Sequence, residues 1–84
     1  MAYEIRFSKT ARRDVRRLTP KLKKKLKTIL LEVVALDPHS GKRLVGDLEG
    51  LYSMRLTFLN QSAYSLDEAH RIVFVHRARI HYGE

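Results

Sequence analysis

The chain has 84 residues, 44% of them hydrophobic, enough for one small domain over 1–84 with no room for a second core. Its 17 Lys and Arg outnumber 9 Asp and Glu, a formal charge of +8 with the four histidines neutral. Lacking cysteine, it has no disulfide framework, thiolate metal site or thiol nucleophile, and no apolar run nears the ~20 residues of a membrane span. The opening Met-Ala-Tyr-Glu-Ile is not a secretory signal, so a soluble cytoplasmic protein is expected.

Tyr3, Ile5 and Phe7 alternate with Glu4 and Arg6, the period of a short half-buried strand. Ser8 suits a helix N-cap. Ala11, Val15 and Leu18 then form one apolar stripe, which leaves Arg12, Arg13, Arg16 and Arg17 pointing outward. Thr19-Pro20 restarts the pattern, with threonine as N-cap and proline at the first helical position, where no N–H partner is needed. A second stripe runs through Leu22, Leu26, Ile29, Leu30, Val33 and Leu36, with Lys23, Lys24 and Lys27 mostly on the other side. Asp37-Pro38 and Ser40-Gly41 end this helix.

The remainder is strand-like. Lys42–Val45 reads as a short strand and Gly46–Gly50 as a turn. Leu51–Leu59 alternates, with Tyr52, Met54, Leu56 and Phe58 on one side and Ser53, Arg55 and Thr57 on the other. Ser62–Leu66 is the next strand, Asp67–His70 a turn, and Arg71–Ala78 a strand around Ile72-Val73-Phe74-Val75, followed by a tail from Arg79. The order β-α-α-β-β-β predicts an α+β fold, a helical hairpin packed on an antiparallel sheet. With Met54, Leu56 and Phe58 toward the helices, Arg55 projects from the open face. Alternation sets Arg77 and Arg79 on one side of the last strand and His76 on the other.

The charge is concentrated. Residues 1–27 hold 11 Lys and Arg against Glu4 and Asp14, while the rest holds six basic and seven acidic residues. Such a run exceeds what solubility requires and points to RNA or an acidic partner, bound through salt-sensitive phosphate-type contacts. His39 and His70 read as loop residues and His76 as a packing or sheet-face residue. Four histidines with no cysteine and no H-x₃-H-type spacing predict no metal and no cofactor.

The run Leu44-Val45-Gly46-Asp47-Leu48-Glu49-Gly50-Leu51-Tyr52-Ser53-Met54-Arg55-Leu56 resembles the segment Leu-x-(Gly/His)-x-Leu-x-Gly-(aromatic)-(aromatic)-Ser-x-Arg of YoeB-type toxins. The ending Arg77-Ala78-Arg79-Ile80-His81-Tyr82 is similar to that family's close on His-Tyr, and the element order is that of the wider RelE/ParE superfamily. The resemblance implies the toxin of a type II toxin–antitoxin pair. The YoeB and RelE branches are ribosome-dependent mRNA endonucleases, and the ParE branch attacks gyrase. The leading expectation is therefore an endoribonuclease that cleaves mRNA in the ribosomal A site. Its rivals are a ParE-like gyrase inhibitor and a plain basic RNA-binding domain. The implied partners are a cognate acidic antitoxin, partly disordered when free, and the ribosome with its mRNA. No membrane is involved, and a homodimer stays open.

Metal-free RNA cleavage needs the 2′-OH deprotonated, the phosphorane charge stabilised and the leaving oxygen protonated. The resemblance assigns catalysis to His81, Tyr82, Arg55, Lys42 and Gln61, with histidine suited to proton transfer and tyrosine to stacking on a base. RNA contact is expected from Arg12, Arg13, Arg16, Arg17, Lys23, Lys24, Lys27, Arg43, Arg77 and Arg79. Two positions depart from the YoeB pattern. Gln61 stands where the family strand Arg-(Leu/Ile)-Val-Tyr begins, and Lys42 replaces a glutamate, although RelE uses lysines in that region. Weak activity is therefore expected, and the general base is left open.

Overall fold

The computed structural model describes residues 2–57 and 60–81, with the backbone alone for Leu48, Ile80 and His81. Strand β1 (Glu4–Phe7) leads into helix α1 (Lys9–Arg16). Ser8 caps α1 as predicted: its Oγ accepts the Ala11 N–H at 3.0 Å and donates to the His76 carbonyl at 2.8 Å. The cap thereby ties the start of the helix to the last strand. Helix α2 (Pro20–Ile29) opens on Thr19, whose Oγ1 accepts the Leu22 N–H at 3.3 Å.

The predicted stripe of α2 breaks at its far end because the helix widens into a π turn. Over Leu30–Val34 the chain takes one extra residue per turn, and Ala35 donates to the Leu30 carbonyl at 2.8 Å. The extra residue changes the facing of the last helical side chains. Val34 and Ala35 are buried, whereas Val33 and Leu36, both expected in the core, are 42% and 65% exposed.

Four further strands complete the chain: β2 (Lys42–Arg43), β3 (Tyr52–Arg55), β4 (Asn60–Asp67) and β5 (Ile72–His81). The five strands form one sheet in the order β1-β5-β4-β3-β2. Strands β2 to β5 pair antiparallel in chain order, in keeping with the expected antiparallel sheet. The helices carry the chain from one sheet edge to the other, and β5 returns beside β1 to pair with it in parallel, so the α+β sheet is mixed. Strand β3 stops well short of the predicted Leu59. The N–H groups of Leu56 and Thr57 both donate to the Asn60 carbonyl, at 2.8 and 3.1 Å, which brings the end of β3 against the start of β4. Phe58, expected to face the helices, lies outside the described residues. Strand β5 in turn runs on through Arg79 to His81, where a tail was expected.

Ala11, Leu18, Leu26, Leu30 and Val34 from the helices meet Leu56, Tyr64, Val73, Val75 and Ala78 from the sheet. Fully burying a Leu or Val side chain contributes about 1.5–3 kcal/mol, so this layer anchors the hairpin on one sheet face. No helix among the described residues is long and apolar enough to cross a membrane.

Candidate functional site

Cross-strand partners share a sheet face, so the register sorts the candidate residues. Lys42 pairs with Ser53 and Ser53 with Ala63, one row across three strands, and the backbone of Ala63 pairs on with Arg77. The next row on that face is Arg55 and Gln61, the latter paired along the backbone with Ile80. The intervening residues Tyr52, Met54, Tyr64 and Val75 belong to the helix-packed side. Lys42, Arg55 and Gln61 are thus brought together on the face away from the helices, with Lys42 and Arg55 exposed and Gln61 half-buried. Ser53 and Ala63 are small and nearly inaccessible, which leaves a low floor between Lys42 and the last strand. The backbone of His81 pairs with Asn60, one step beyond the Gln61–Ile80 pair. Tyr82 lies outside the described residues.

Simple alternation fails in β5. Its pairing with β4 shifts on both sides of Ala63, so β5 bulges. His76 is placed against Ser65 (Nε2···Oγ 2.7 Å) and Phe74 (ring centroids 5.0 Å apart). That is the side of Ala63, away from the helices, so His76 and Arg77 diverge as expected. Arg77 and Arg79 also part company. Arg77 turns toward α1, where Nε and Nη2 donate to the Asp14 carboxylate at 2.8 and 3.2 Å, and Arg79 Nε donates to Asn60 Oδ1 at 3.0 Å.

Asp14 accepts the Ala78 N–H as well, at 3.1 Å. Burial pushes its carboxyl up, but the Arg77 guanidinium and the Ala78 N–H outweigh that and hold it below its ordinary value. Donating to Asp14 raises Arg77 in return. Sequence reasoning assigned Asp14 no role, although a signal exists. It falls three residues after Ala11 and four before Leu18, on the inward side of α1, among arginines that point out.

The helical cations form a separate surface. Arg12, Arg13, Arg16, Arg17, Lys23, Lys24 and Lys27 are all exposed, and none takes part in an ion pair among the described residues. They lie on the helix layer, so the sheet stands between them and Lys42, Arg55 and Gln61. Arg43 also parts from its neighbour Lys42. It pairs with Tyr52 and lines a groove of about 540 Å³ with His39, Leu66 and Glu68. In that groove His39 bridges Tyr52 Oη at 3.1 Å and Glu68 Oε1 at 2.6 Å. No group of three His, Cys, Asp or Glu residues among the described ones is placed to hold a metal.

Two helices on a five-stranded mixed sheet, in this order, make the fold of RelE and YoeB toxins. The RelBE2 toxin–antitoxin complex from Mycobacterium tuberculosis contains a chain that superposes with a TM-score of 0.86 at 28% identity, over 100% of this chain and 95% of that one. The YoeB dimer from Staphylococcus aureus has the same fold, with a TM-score of 0.78 at 24% identity, over 98% of this chain and 100% of that one. Toxin RelE of M. tuberculosis (strain ATCC 25618 / H37Rv) is 34% identical over 79 residues, spanning 92% of this chain and 80% of the relative. The chain belongs to the ParE-like toxins of type II bacterial toxin–antitoxin systems, whose family pattern it matches over residues 5–82.

Proposed function

We propose that this toxin is a ribosome-dependent endoribonuclease that cleaves mRNA in the A site by metal-free acid–base chemistry. The observation that carries the reading is the gathering of Lys42, Arg55 and Gln61 on one sheet face, with the backbone of His81 one pairing step away. Lys42 and Arg55 neutralise the phosphorane without a metal ion. Gln61 adds a hydrogen bond but no charge, which keeps activity low. His81 moves the proton to the leaving oxygen, and Tyr82 stacks on a base. The exposed cations of α1 and α2 supply contacts to ribosomal RNA in the cytoplasm. The RelBE2 relative is held in complex with its antitoxin, which supports a cognate antitoxin as the partner of this chain.

The ParE-like description of the family favours one second reading, a gyrase inhibitor without nuclease activity. Primer extension on mRNA from a translating extract separates the two. Cuts at codon positions, reduced at least about tenfold by His81→Ala, support the nuclease. Inhibition of DNA supercoiling with intact mRNA overturns it in favour of gyrase.

A further inference from the structure

We infer that Asp14 is a positioning residue for the RNA-cleaving strand, holding residues 79–81 beside Gln61 and Arg55 through Arg77. The inference rests on the cleavage activity proposed above. Strand β1 pairs with β5 only as far as Val75, so beyond that point the outer edge of β5 has no strand beside it. An unpaired edge is free to shift, and its N–H groups need partners. Helix α1 supplies one, because the Asp14 carboxylate accepts the Ala78 N–H on this stretch at 3.1 Å.

The same carboxylate organises the residues beyond. Arg77 donates to Asp14 with Nε and Nη2, and Nη2 also reaches the Arg79 carbonyl at 3.3 Å. Arg79 Nε then holds Asn60 Oδ1 at 3.0 Å, and Asn60 Nδ2 donates to Thr57 Oγ1 at 2.7 Å. The backbone of Asn60 pairs with His81. A series of hydrogen bonds therefore runs from α1 to Asn60, the register partner of His81, across the place where the β4–β5 pairing shifts. A bulged pair is where register is least fixed by alternation, and a slip of one residue moves every side chain to the other face. The Asp14 carboxylate is 12% exposed, in a helix whose arginines face solvent. Its placement spends on β5 the one acid that α1 contains. Arg77 is committed by the same contact, which separates it from Lys42 and Arg55 as a ligand for RNA phosphate.

Single-turnover cleavage on mRNA-programmed ribosomes, with ribosome affinity measured over a salt series, tests the latch. Asp14→Asn and Arg77→Gln should each lower the cleavage rate at saturation about 10- to 100-fold, the penalty of small misplacement at a reacting centre. Affinity and its salt slope should not change, the double variant should be no worse than either single one, and Asp14→Glu should recover part of the rate. If Arg77→Gln instead shallows the salt slope by about one while sparing the rate, Arg77 is a phosphate ligand and the inference is overturned. Multiplying losses in the double variant overturn it too. Hydrogen exchange at the Ala78 amide is an arm independent of cleavage: it should quicken in Asp14→Asn, and unchanged protection refutes the latch. Should Asp14→Asn fail to fold, Arg77→Gln carries the cleavage arm and Asp14→Ala, which has no acceptor for the Ala78 N–H, the exchange arm. Wild-type protein that cuts no mRNA on ribosomes overturns the proposed activity and the catalytic half of the inference, while the exchange result still decides whether Asp14 holds the strand.

Discussion

Gln61→Arg should raise the cleavage rate. The amide sits on the face that carries Lys42 and Arg55, where under the proposed activity a guanidinium would meet the developing phosphorane. A charged donor aimed at that charge stabilises the transition state by about 2–4 kcal/mol, or roughly thirty- to a thousandfold in rate. The opposing term is repulsion from Arg55, the direct cross-strand partner of Gln61. Long side chains let the two charges sit ~7 Å apart, where repulsion in water is about 0.6 kcal/mol and is reduced further by salt. The gain therefore exceeds the cost. Ser62 should be left alone. It is buried on the helix side, where its Oγ donates to the Ala78 carbonyl at 2.9 Å, and a larger apolar residue there would overpack and lose that bond. The assay is single-turnover cleavage at saturating toxin, with ribosome affinity and a urea midpoint measured alongside. A folded, ribosome-binding Gln61→Arg protein that cuts no faster than wild type would refute the assignment of Gln61 to the reacting phosphate.

Gly41→Ala drives a Cβ against the Tyr64 hydroxyl and to 2.9 Å from the Ser53 carbonyl, so it should destabilise by about 1–3 kcal/mol, read as a urea midpoint. Tyr64→Phe, which orphans the Pro38 carbonyl now bonded at 2.7 Å, should cost a similar ~1–3 kcal/mol, and the double variant less than the sum; strict additivity would refute the contact. Burial pushes Tyr64 from 10.0 up to about 12, so its share of stability is complete below pH 10 and is lost as pH rises to 12. That loss should be about 2–3 kcal/mol in wild type, and Tyr64→Phe should lack it. Changing Lys23, Lys24 and Lys27 to glutamate should weaken ribosome binding and shallow its salt dependence, with the rate at saturation unchanged; an unaltered slope would move the ribosome contact elsewhere.

What the sequence shows well is local. Ser8 and Thr19 cap helices because an oxygen sits beside unpaired N–H groups, and the alternation from Tyr52 to Met54 survives because one face is buried. What it hides arises where the pattern offers no contrast. Val33, Val34, Ala35 and Leu36 are all apolar, so nothing in their order says which of them faces the core. The bond from Ala35 to the Leu30 carbonyl settles it by shifting the helical phase. Likewise the bulge in β5 falls in His76-Arg77-Ala78-Arg79, where three polar residues flank one alanine and alternation has no apolar marks to count. The parallel pairing of β1 with β5 joins chain ends that no local pattern connects.

The site is half legible for a related reason. Sequence groups cations by chemical type and proximity along the chain, whereas the fold groups them by face. Lys42 and Arg43 are adjacent in sequence, yet one shares a row with Ser53 and the other lines the groove beside Tyr52. Arg77, counted with the RNA-binding residues, is occupied by Asp14 across the molecule. The remaining charge divides into a helical surface and a sheet-face cluster, back to back. A protein that merely coats one nucleic acid gains most by gathering its cations on a single face, since every phosphate neutralised there adds to affinity. Two basic surfaces separated by a sheet instead suit a protein that works between two RNA molecules. Under the proposed activity, α1 and α2 hold ribosomal RNA while Lys42, Arg55 and Gln61 engage the mRNA phosphate. Changes on the helices should then appear in binding, and changes on the sheet face in the rate of cutting.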